Sequence, residues 1–348
     1  MKIDIITMHA MHNPGSVFQA YALQKYLMNK GEDAWIIDYR PEYFFSEGNG
    51  MSFALKKVLF HKAYASRQKK FDDFIEKNMR LTKRFTTYQE FETEKWDADC
   101  YVVGSDQLWN TDFECGNDKA YFLDFVQNGR KVSYATSVGK AVIDEKNKEV
   151  LRKYLPNFDT VSVREKSTAD SLNEELGIEV KFVCDPVFLL KKQDYERFNY
   201  QINQPKYVMV YLAPKSNILD FLVEEYRRKG YKIILIGGFT KRCKCDMHIV
   251  DAGPEDFLSY LSSASVVISD SFHATAFSLI FHKEFWTILP ERNGERIKSL
   301  LEVVGLSNHI AEKNVNISDV IDWDEVDEKI KGYIKESEGV ISGEIEGD

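Results

Sequence analysis

The chain has 348 residues, of which 44% are apolar and 29% are charged, and its formal net charge is −9 at pH 7. This length suggests about two globular domains, and the composition excludes a disordered chain. The negative charge disfavours non-specific binding to nucleic acid, because such binding depends on clustered Lys and Arg side chains that neutralise phosphates.

The sequence predicts a cytoplasmic protein with reduced thiols. No stretch approaches the roughly 18 uncharged apolar residues of a membrane-spanning helix, and the N-terminal MKIDIITMHA is typical of a strand rather than a signal peptide. The five cysteines are scattered, at Cys100, Cys115, Cys184, Cys243 and Cys245. Two of them and His248 fall short of a tetrahedral metal site, so we expect no metal.

Strands and helices alternate along the first half of the chain. Apolar runs predict strands at 2–9, 34–39, 100–104, 131–136, 160–163 and 180–184. Helical periodicity covers 17–30, about 52–78 and 165–177. These repeated units predict a parallel sheet that is covered on both faces.

The same pattern restarts in the second half, after a polar and irregular segment at 186–205 that is a plausible crossover. Strands are predicted at 207–212, 232–237, 265–269 and 285–289. Helices are predicted up to residue 229, after 254, and at 272–281 and 296–304. A last amphipathic helix, at 323–336, is expected to fold back across the first domain.

The predicted fold class is therefore α/β, with two doubly wound, Rossmann-like domains and a cleft between them. We assign residues 1–185 to the first domain, 186–312 to the second and 313–348 to a helical tail that packs on the first. Ligands of open α/β sheets bind beyond the carboxyl ends of the strands, so the loops that follow the strands are the candidate sites.

The first of these loops, at 9–16, leads into a helix. Asn13, Pro14 and Gly15 predict a turn, and Ser16 is the expected helix cap. A helix N-terminus in this place suits an anion or a sugar, and a well-formed turn without a ligand is the alternative.

Polar side chains follow two other strands of the first half. Ser105 and Asp106 come directly after a buried strand and are candidates for substrate hydrogen bonds. Asp106 is either a base, an orienting group or an acid that caps a turn. Arg164 ends another strand, and its planar guanidinium suits a carboxylate or a phosphate, with a surface pair to Glu165 as the alternative.

The most specific candidate in the second half is His273. Ser269, Asp270 and Ser271 follow the strand SVVIS and can cap a helix whose first turn contains this histidine. The free N–H groups and the dipole of such a helix end favour anions and lower the proton affinity of a histidine. His273 is thus placed to shuttle protons, and a purely structural histidine is the alternative.

Basic residues and glycines supply further candidates. Arg292, Arg296 and Lys298 follow the last strand, and one or two of them suit a phosphate. The basic run at 56–70 is either a solvated helix face or a patch that faces an acidic membrane surface. Gly237-Gly238 suits a nucleotide phosphate or, alternatively, an ordinary turn.

Taken together and in order, several segments resemble the polysaccharide pyruvyl transferase family. They span roughly residues 3–310 and are NPGSVFQAYALQ (13–24), VVGSDQLWN (102–110), SYATSVG (133–139), VSVREKS (161–167), CDPVFLL (184–190) and SFHATAFSLIF (271–281). The sequence departs from the family pattern at Pro14, where a tyrosine is expected, and at Ala274, where a glycine is expected.

The resemblance implies a glycosyltransferase-B-like fold and transfer of pyruvate from phosphoenolpyruvate to a sugar. The expected acceptor belongs to a polysaccharide or its lipid-linked precursor, and the products are a cyclic pyruvate ketal and phosphate. Phosphoenolpyruvate is then a co-substrate, and no cofactor is expected. The acceptor is expected in the first domain and the donor in the second, with peripheral membrane contact if the acceptor is lipid-linked.

By motif position, the resemblance assigns donor binding to Arg164, His273 and Arg296. We expect Arg164 to bind the carboxylate, and Arg296 with the N-terminus of the His273 helix to bind the phosphate. His273 is the expected general acid, and Asp106 the expected base or acceptor-orienting group. The other substrate-binding candidates are Arg292, Ser271, Asn13, Gln19 and Ser105.

Two other functions stay open for the same sequence. A glycosyltransferase that uses a nucleotide sugar would bind a diphosphate with Gly237-Gly238 and the basic cluster at 292–298. A non-catalytic sugar-binding protein of an envelope-assembly complex would make His273 and Arg164 dispensable.

Overall fold

Five parallel strands form the first sheet, in the order β3-β2-β1-β4-β5. They are β1 (Lys2–Ile6), β2 (Asp33–Tyr39), β3 (Leu81–Phe85), β4 (Cys100–Val103) and β5 (Arg130–Ser133). All of β4 is buried, as is typical of a parallel sheet covered on both faces. The computed structural model describes residues 1–44, 60–140, 142–290, 292–312 and 315–346, with side chains described to residue 341.

Two short strands extend this sheet beyond β5. β6 (Val161–Val163) and β7 (Val180–Phe182) pair in parallel, and isolated parallel bridges join the β5 segment to the β6 segment. The loop after β7 therefore lies at the same edge of the sheet as the loop after β4. This brings Asp185 next to Ser105, although 80 residues separate them in the chain.

The helices of the first half cover this sheet. They are α1 (Pro14–Asn29), α2 (His61–Asn78), α3 (Tyr88–Glu92), α4 (Glu145–Tyr154) and α5 (Lys166–Leu176). α1 is buried along most of its length because it lies between the two halves of the molecule. Its Phe18 packs on Phe74 of α2 and on Phe277 of the second half, with ring centroids 5.2 and 5.4 Å away.

The second sheet repeats the architecture, in the order β10-β9-β8-β11-β12. Its strands are β8 (Tyr207–Tyr211), β9 (Lys232–Ile236), β10 (Met247–Ile249), β11 (Val266–Ser269) and β12 (Glu284–Thr287). Its helices are α6 (Lys192–Glu196), α7 (Asn217–Arg228), α8 (Pro254–Ser263), α9 (Phe272–Ile280) and α10 (Glu295–Val304). We call β1–β7 with α1–α5 the first lobe and β8–β12 with α6–α10 the second lobe.

The segment at 186–205 differs from the prediction of a polar, irregular crossover. It contains a 3₁₀ turn at Pro186–Phe188 and the helix α6, and it buries Val187 and Tyr195. Tyr195 also donates a hydrogen bond to the Val187 carbonyl oxygen (2.8 Å). The segment is therefore part of the core between the lobes. The prediction was wrong because the apolar residues that pack this segment into the core are few and are widely spaced in the sequence.

The C-terminal helix, α11 (Trp323–Glu346), is longer than the predicted 323–336. Tyr333 donates a hydrogen bond to the Val183 carbonyl oxygen (2.8 Å), and Ser337 Oγ accepts one from the Cys184 amide (2.8 Å). At its start, Trp323 stacks on His282 of the second lobe, with ring centroids 4.8 Å apart. The tail therefore contacts the end of β7, as expected, and the second lobe as well. The limits of the domains at 185 and 312 stay a prediction.

Part of the basic run at 56–70 is engaged within the protein. Lys70 of α2 forms ion pairs with Asp251 (3.2 Å) and Asp256 (2.9 Å) of the second lobe. Arg67 donates to the His12 carbonyl oxygen and lies over the ring of Phe71. Lys70 thus joins the two lobes, whereas the contacts of Arg67 lie within the first lobe. Positions 56–59 lie outside the described residues. In the described part of the chain, no helix has both the length and the apolar character needed to span a membrane.

Candidate functional site

A cavity of about 680 Å³ opens between the two lobes. Its walls come from loops that follow strands: Met8 after β1 and Asp106 after β4 in the first lobe, and Leu212, Arg242 and Asp270 after β8, β9 and β11 in the second. This is the place where open α/β sheets bind ligands, so the expectation from the sequence holds for the position of the cavity.

The two walls of the cavity carry opposite charge. The wall of the second lobe presents three arginines, Arg242, Arg292 and Arg296. The wall of the first lobe presents aromatic and acidic side chains, namely Tyr43, Phe44, Asp106, Asp112, Phe113 and Glu114. Lys298, the third member of the predicted basic cluster, is exposed and does not line the cavity.

Arg242 was missed by sequence reasoning. It lies in the loop between β9 and β10, and its Nη1 donates to the Leu212 carbonyl oxygen (2.9 Å). Because β10 is only three residues long, the sequence did not reveal that residues 237–246 form a loop at the sheet edge. Arg242 follows the predicted strand at 232–237, so the rule that sites lie after strands pointed to its loop, but only Gly237-Gly238 were considered there.

Arg296 faces the cavity from the first turn of α10. Burial and the nearby Arg164 lower the pKa of Arg296 to about 10, so it is charged at neutral pH. Its buried Nε has no hydrogen-bond partner among the described residues. A desolvated guanidinium with unused donors is a strong site for an anion.

Arg164 lies behind the cavity rather than in its wall. It is only 2% exposed. Its Nη1 pairs with Asp185 Oδ2 (2.6 Å) and its Nη2 with Asp106 Oδ1 (3.1 Å), while its guanidinium lies over the ring of Phe272. The expectation of direct contact with a substrate carboxylate does not fit this position. Nor does the alternative of a surface pair with Glu165, since that residue is buried too.

Asp106 and Asp185 are both ionised in this cluster. Burial alone would raise the pKa of each, but for Asp106 the charges of Arg164 and His273 outweigh burial and lower its pKa. For Asp185, His273 and then Arg164 lower the pKa well below its usual range. Asp106 lines the cavity, and its Oδ2 has no hydrogen-bond partner within the described residues. It can therefore accept a hydrogen bond from a ligand.

His273 lies where the lobes meet. Ser271 caps α9, with its Oγ accepting from the Ala274 amide (3.4 Å), as predicted. The ring is 7% exposed and lines the cavity. Its Nε2 is 3.6 Å from Asp185 Oδ2, and its other edge packs on Gly15, where a Cβ atom would overlap the ring. A buried carboxylate thus lies beside the imidazole, and His273 Nε2 has no hydrogen-bond partner among the described residues.

Asp185 was not proposed from the sequence, although it follows a predicted strand in the segment CDPVFLL. Its Oδ2 accepts from Ser105 Oγ (2.7 Å) as well as from Arg164. Ser105 is completely buried. It therefore supports the cluster and, contrary to expectation, does not reach the cavity.

The loop before α1 differs in detail from the prediction. Asn13, not Ser16, caps the helix: its Oδ1 accepts from the Gly15 amide (2.8 Å), and Pro14 begins α1. Asn13 and Ser16 both line the cavity. Gln19 is completely buried and donates to Thr7 Oγ1 (2.8 Å), so it positions the loop after β1 instead of meeting a ligand.

Asp270 is a further cavity residue that the sequence marked only as part of a helix cap. It follows β11 and is partly buried in the arginine-rich wall. Burial raises the pKa of Asp270 to about 6, against the opposing charges of Arg242 and Arg296. A carboxyl group with such a pKa can gain or lose a proton near neutral pH.

Comparison with known proteins identifies the family. A profile of the polysaccharide pyruvyl transferase family matches residues 13–291. The chain belongs to the polysaccharide pyruvyl transferase family. A search of curated proteins finds no match.

Solved structures show the fold of this pyruvyl transferase family member. UDP-GlcNAc 2-epimerase from Neisseria meningitidis, bound to UDP-GlcNAc, is 11% identical, with a TM-score of 0.52 and 100% of both chains covered. The Methanocaldococcus jannaschii UDP-GlcNAc 2-epimerase, in complex with UDP-GlcNAc and UDP, is 14% identical, with a TM-score of 0.53 and the same coverage of 100%. S. aureus MnaA with UDP is 12% identical, with a TM-score of 0.54, covering 97% of this chain and 91% of that chain. These similarities confirm two Rossmann-like domains in a glycosyltransferase-B-like arrangement.

Gly15→Ala tests the contact between the lobes. The added Cβ would overlap Nδ1 and Cγ of His273, so we expect a loss of about 1–3 kcal/mol in the free energy of unfolding, as for other overpacked sites. Urea denaturation measures it. Gly332→Ala in α11 is the matched control: its Cβ would meet nothing within 4 Å, and helix propensity predicts a gain of about 0.5–1 kcal/mol. An increase in the free energy of unfolding for both variants would contradict the packing of His273 on Gly15.

Arg164→Met tests whether this family member uses Arg164 as a structural cation. The substitution leaves Asp106 and Asp185 as buried carboxylates without their partner, and we expect a loss of about 3–5 kcal/mol in the free energy of unfolding. Urea denaturation compares it with Arg228→Met, a surface residue of α7 paired with Glu225, for which we expect little change. A stable Arg164→Met protein that only binds substrate more weakly would restore the role expected from the sequence.

Proposed function

We propose that the protein transfers pyruvate from phosphoenolpyruvate to a sugar of a polysaccharide or of its lipid-linked precursor, forming a cyclic ketal and releasing phosphate. Membership of the pyruvyl transferase family supports this reaction class. The observation that carries the choice of substrates is the division of the cavity into an arginine-rich wall and an acidic, aromatic wall. An anionic donor and a sugar acceptor are complementary to these two walls.

The donor has two anionic groups, a carboxylate and a phosphate, and the wall of the second lobe offers cations for both. Arg242, Arg292 and Arg296 line it, beside the N-terminus of α9. Guanidinium groups bind both kinds of anion through two parallel hydrogen bonds, and a helix N-terminus adds backbone N–H donors. In this proposal Arg242 thus takes the role in carboxylate binding that was expected for Arg164.

The acceptor is a polyol, and the wall of the first lobe suits it. Phe113 is 46% exposed beside Asp112 and Glu114, so an apolar ring face lies next to carboxylate acceptors for sugar hydroxyls. Asp106 lines the same cavity, and its buried Oδ2 has no hydrogen-bond partner among the described residues. We assign Asp106 to orient an acceptor hydroxyl, since a carboxylate with a lowered pKa is a weak base.

Ketal formation needs proton transfers, and His273 is placed to take part. Carbon C3 of the donor must gain a proton, and each acceptor hydroxyl that bonds to C2 must lose one. His273 lies between the wall that would bind the donor and the helix α1 of the acceptor wall. Asp185 lies behind the ring, with its Oδ2 3.6 Å from His273 Nε2.

A thermal-shift titration with phosphoenolpyruvate tests the donor assignment without knowledge of the acceptor. A ligand that binds only the folded protein stabilises it by about 2.7 kcal/mol at a hundredfold excess over its dissociation constant. We expect a rise in Tm with phosphoenolpyruvate that Arg242→Gln and Arg296→Gln reduce and that the surface variant Arg228→Gln keeps. A rise with nucleotide sugars alone would favour the glycosyltransferase alternative, and no rise with phosphoenolpyruvate would contradict the proposal.

His273→Gln tests the role in proton transfer. Once an acceptor supports turnover, we expect kcat to fall about 10²–10⁴-fold, while the phosphoenolpyruvate-dependent shift in Tm persists. His282→Gln, at the exposed contact with the tail helix, is the control and should keep its kcat. Turnover near that of the wild type in His273→Gln would contradict the assignment and favour a non-catalytic role for this histidine.

A further inference from the structure

Among the described residues that line the arginine-rich wall, one is an acid. Asp270 follows β11 directly and lines the same wall as Arg242 and Arg296. Its charge helps Arg296 to stay protonated, but a carboxylate opposes the binding of an anion, because like charges repel each other at short range. A bound donor would therefore favour the neutral form of Asp270.

The groups that act on Asp270 come from several elements. Arg242 in the loop after β9 and Arg296 in α10 favour its charged form, whereas burial favours its neutral form. Tyr211, at the end of β8, is also close enough to feel the charge of Asp270. His273, three positions further along, is directed toward Asp185 and Gly15 instead. The carboxyl group of Asp270 therefore lies in the arginine-rich wall and is not part of the buried cluster around Arg164.

We propose that Asp270 is the acid that protonates carbon C3 of the donor, a role that rests on the pyruvyl transfer proposed above. Asp270 lines the wall that also carries Arg242 and Arg296, the two cations that would hold the anionic ends of the donor, whereas His273 lies where the two lobes meet. Asp270 therefore serves the donor carbon and, in the last step, the second hydroxyl, while His273 serves the first acceptor hydroxyl and the leaving phosphate.

The protons and bonds balance in this scheme. The proton of Asp270 goes to C3, which takes the electron pair of the C2–C3 double bond, and C2 becomes electrophilic. The first acceptor hydroxyl bonds to C2 and gives its proton to His273. The bond from C2 to the phosphate oxygen breaks, phosphate leaves with the proton from His273, and the second hydroxyl bonds to C2. The proton of that second hydroxyl returns Asp270 to its neutral form.

Binding of the donor would itself favour protonation of Asp270. In the free protein the pKa of Asp270 is raised to about 6, so the carboxyl is mostly ionised at pH 7. When donor anions neutralise Arg242 and Arg296 and add negative charge beside Asp270, its pKa rises further and it takes up a proton. At pH 7, the binding of one donor molecule is thus expected to be accompanied by the uptake of, on average, less than one proton from solution.

Isothermal titration calorimetry with phosphoenolpyruvate measures this uptake. Titrations at pH 7 in two buffers of different ionisation enthalpy give the number of protons taken up per donor bound. We expect net uptake by the wild type, less uptake by Asp270→Asn with equal or tighter binding, and wild-type uptake by Asp220→Asn, an exposed acid of α7. Once an acceptor is known, Asp270→Asn should lower kcat about 10²–10⁴-fold with little change in the KM for the donor.

The outcomes separate this proposal from the broader one. Binding of phosphoenolpyruvate with the same proton uptake in wild type and Asp270→Asn, or uptake that only His273→Gln removes, would overturn the role of Asp270 and leave pyruvyl transfer standing. No binding of phosphoenolpyruvate to the wild type would overturn both. If Asp270→Asn does not fold, titrations of the wild type between about pH 5 and 8 test the proposal instead. The number of protons taken up per donor should decrease below pH 6, because Asp270 is already protonated there. Proton uptake that persists below pH 6 would contradict the proposal.

Discussion

The ion pairs of Arg164 with Asp106 and Asp185 are the interaction on which the site depends. They join the loops after β4, β6 and β7 within one buried cluster. Burying these charges is costly, and the Coulomb attraction offsets that cost only while all partners stay in place. The cluster also holds Asp106 at a φ of 86°, a conformation that is strained for a residue other than glycine. The shape of the cavity wall at Asp106 therefore depends on Arg164, a cation that is itself buried.

Gly15 sets a second constraint, because it lets the two lobes approach each other closely. The His273 ring of the second lobe packs where a side chain of α1 would otherwise stand, and it reaches Asp185 of the first lobe. The histidine proposed to transfer protons thus belongs to one lobe and packs against a carboxylate and a glycine of the other. Any movement that separates the lobes would take the imidazole away from its carboxylate, so the geometry of the site exists only when the lobes are together.

The sequence predicted the features that depend on local pattern. Both sheets, most of their helices, the cap at Ser271 and the position of the cleft follow from periodicity and from the rule that sites lie after strands. It could not predict that Arg164 would be neutralised, because Asp106 and Asp185 are distant from it in the chain and meet it only through the parallel order of β4 to β7. Arg242 lies several residues beyond the predicted strand at 232–237, in a loop whose path the local pattern does not define.

The excess of acids around Arg164 has a consequence for the donor wall. Asp106 and Asp185 both pair with this one arginine, so Arg164 alone does not cancel the charge of the two carboxylates. Burial and the charge of Arg164 lower the pKa of Arg296. The nearby acids counteract this decrease; they are Asp106, Glu165 and Asp270. Arg296 can therefore stay protonated with its buried Nε unused. Acids that act through space keep the cation charged without occupying the donors that an anion would use.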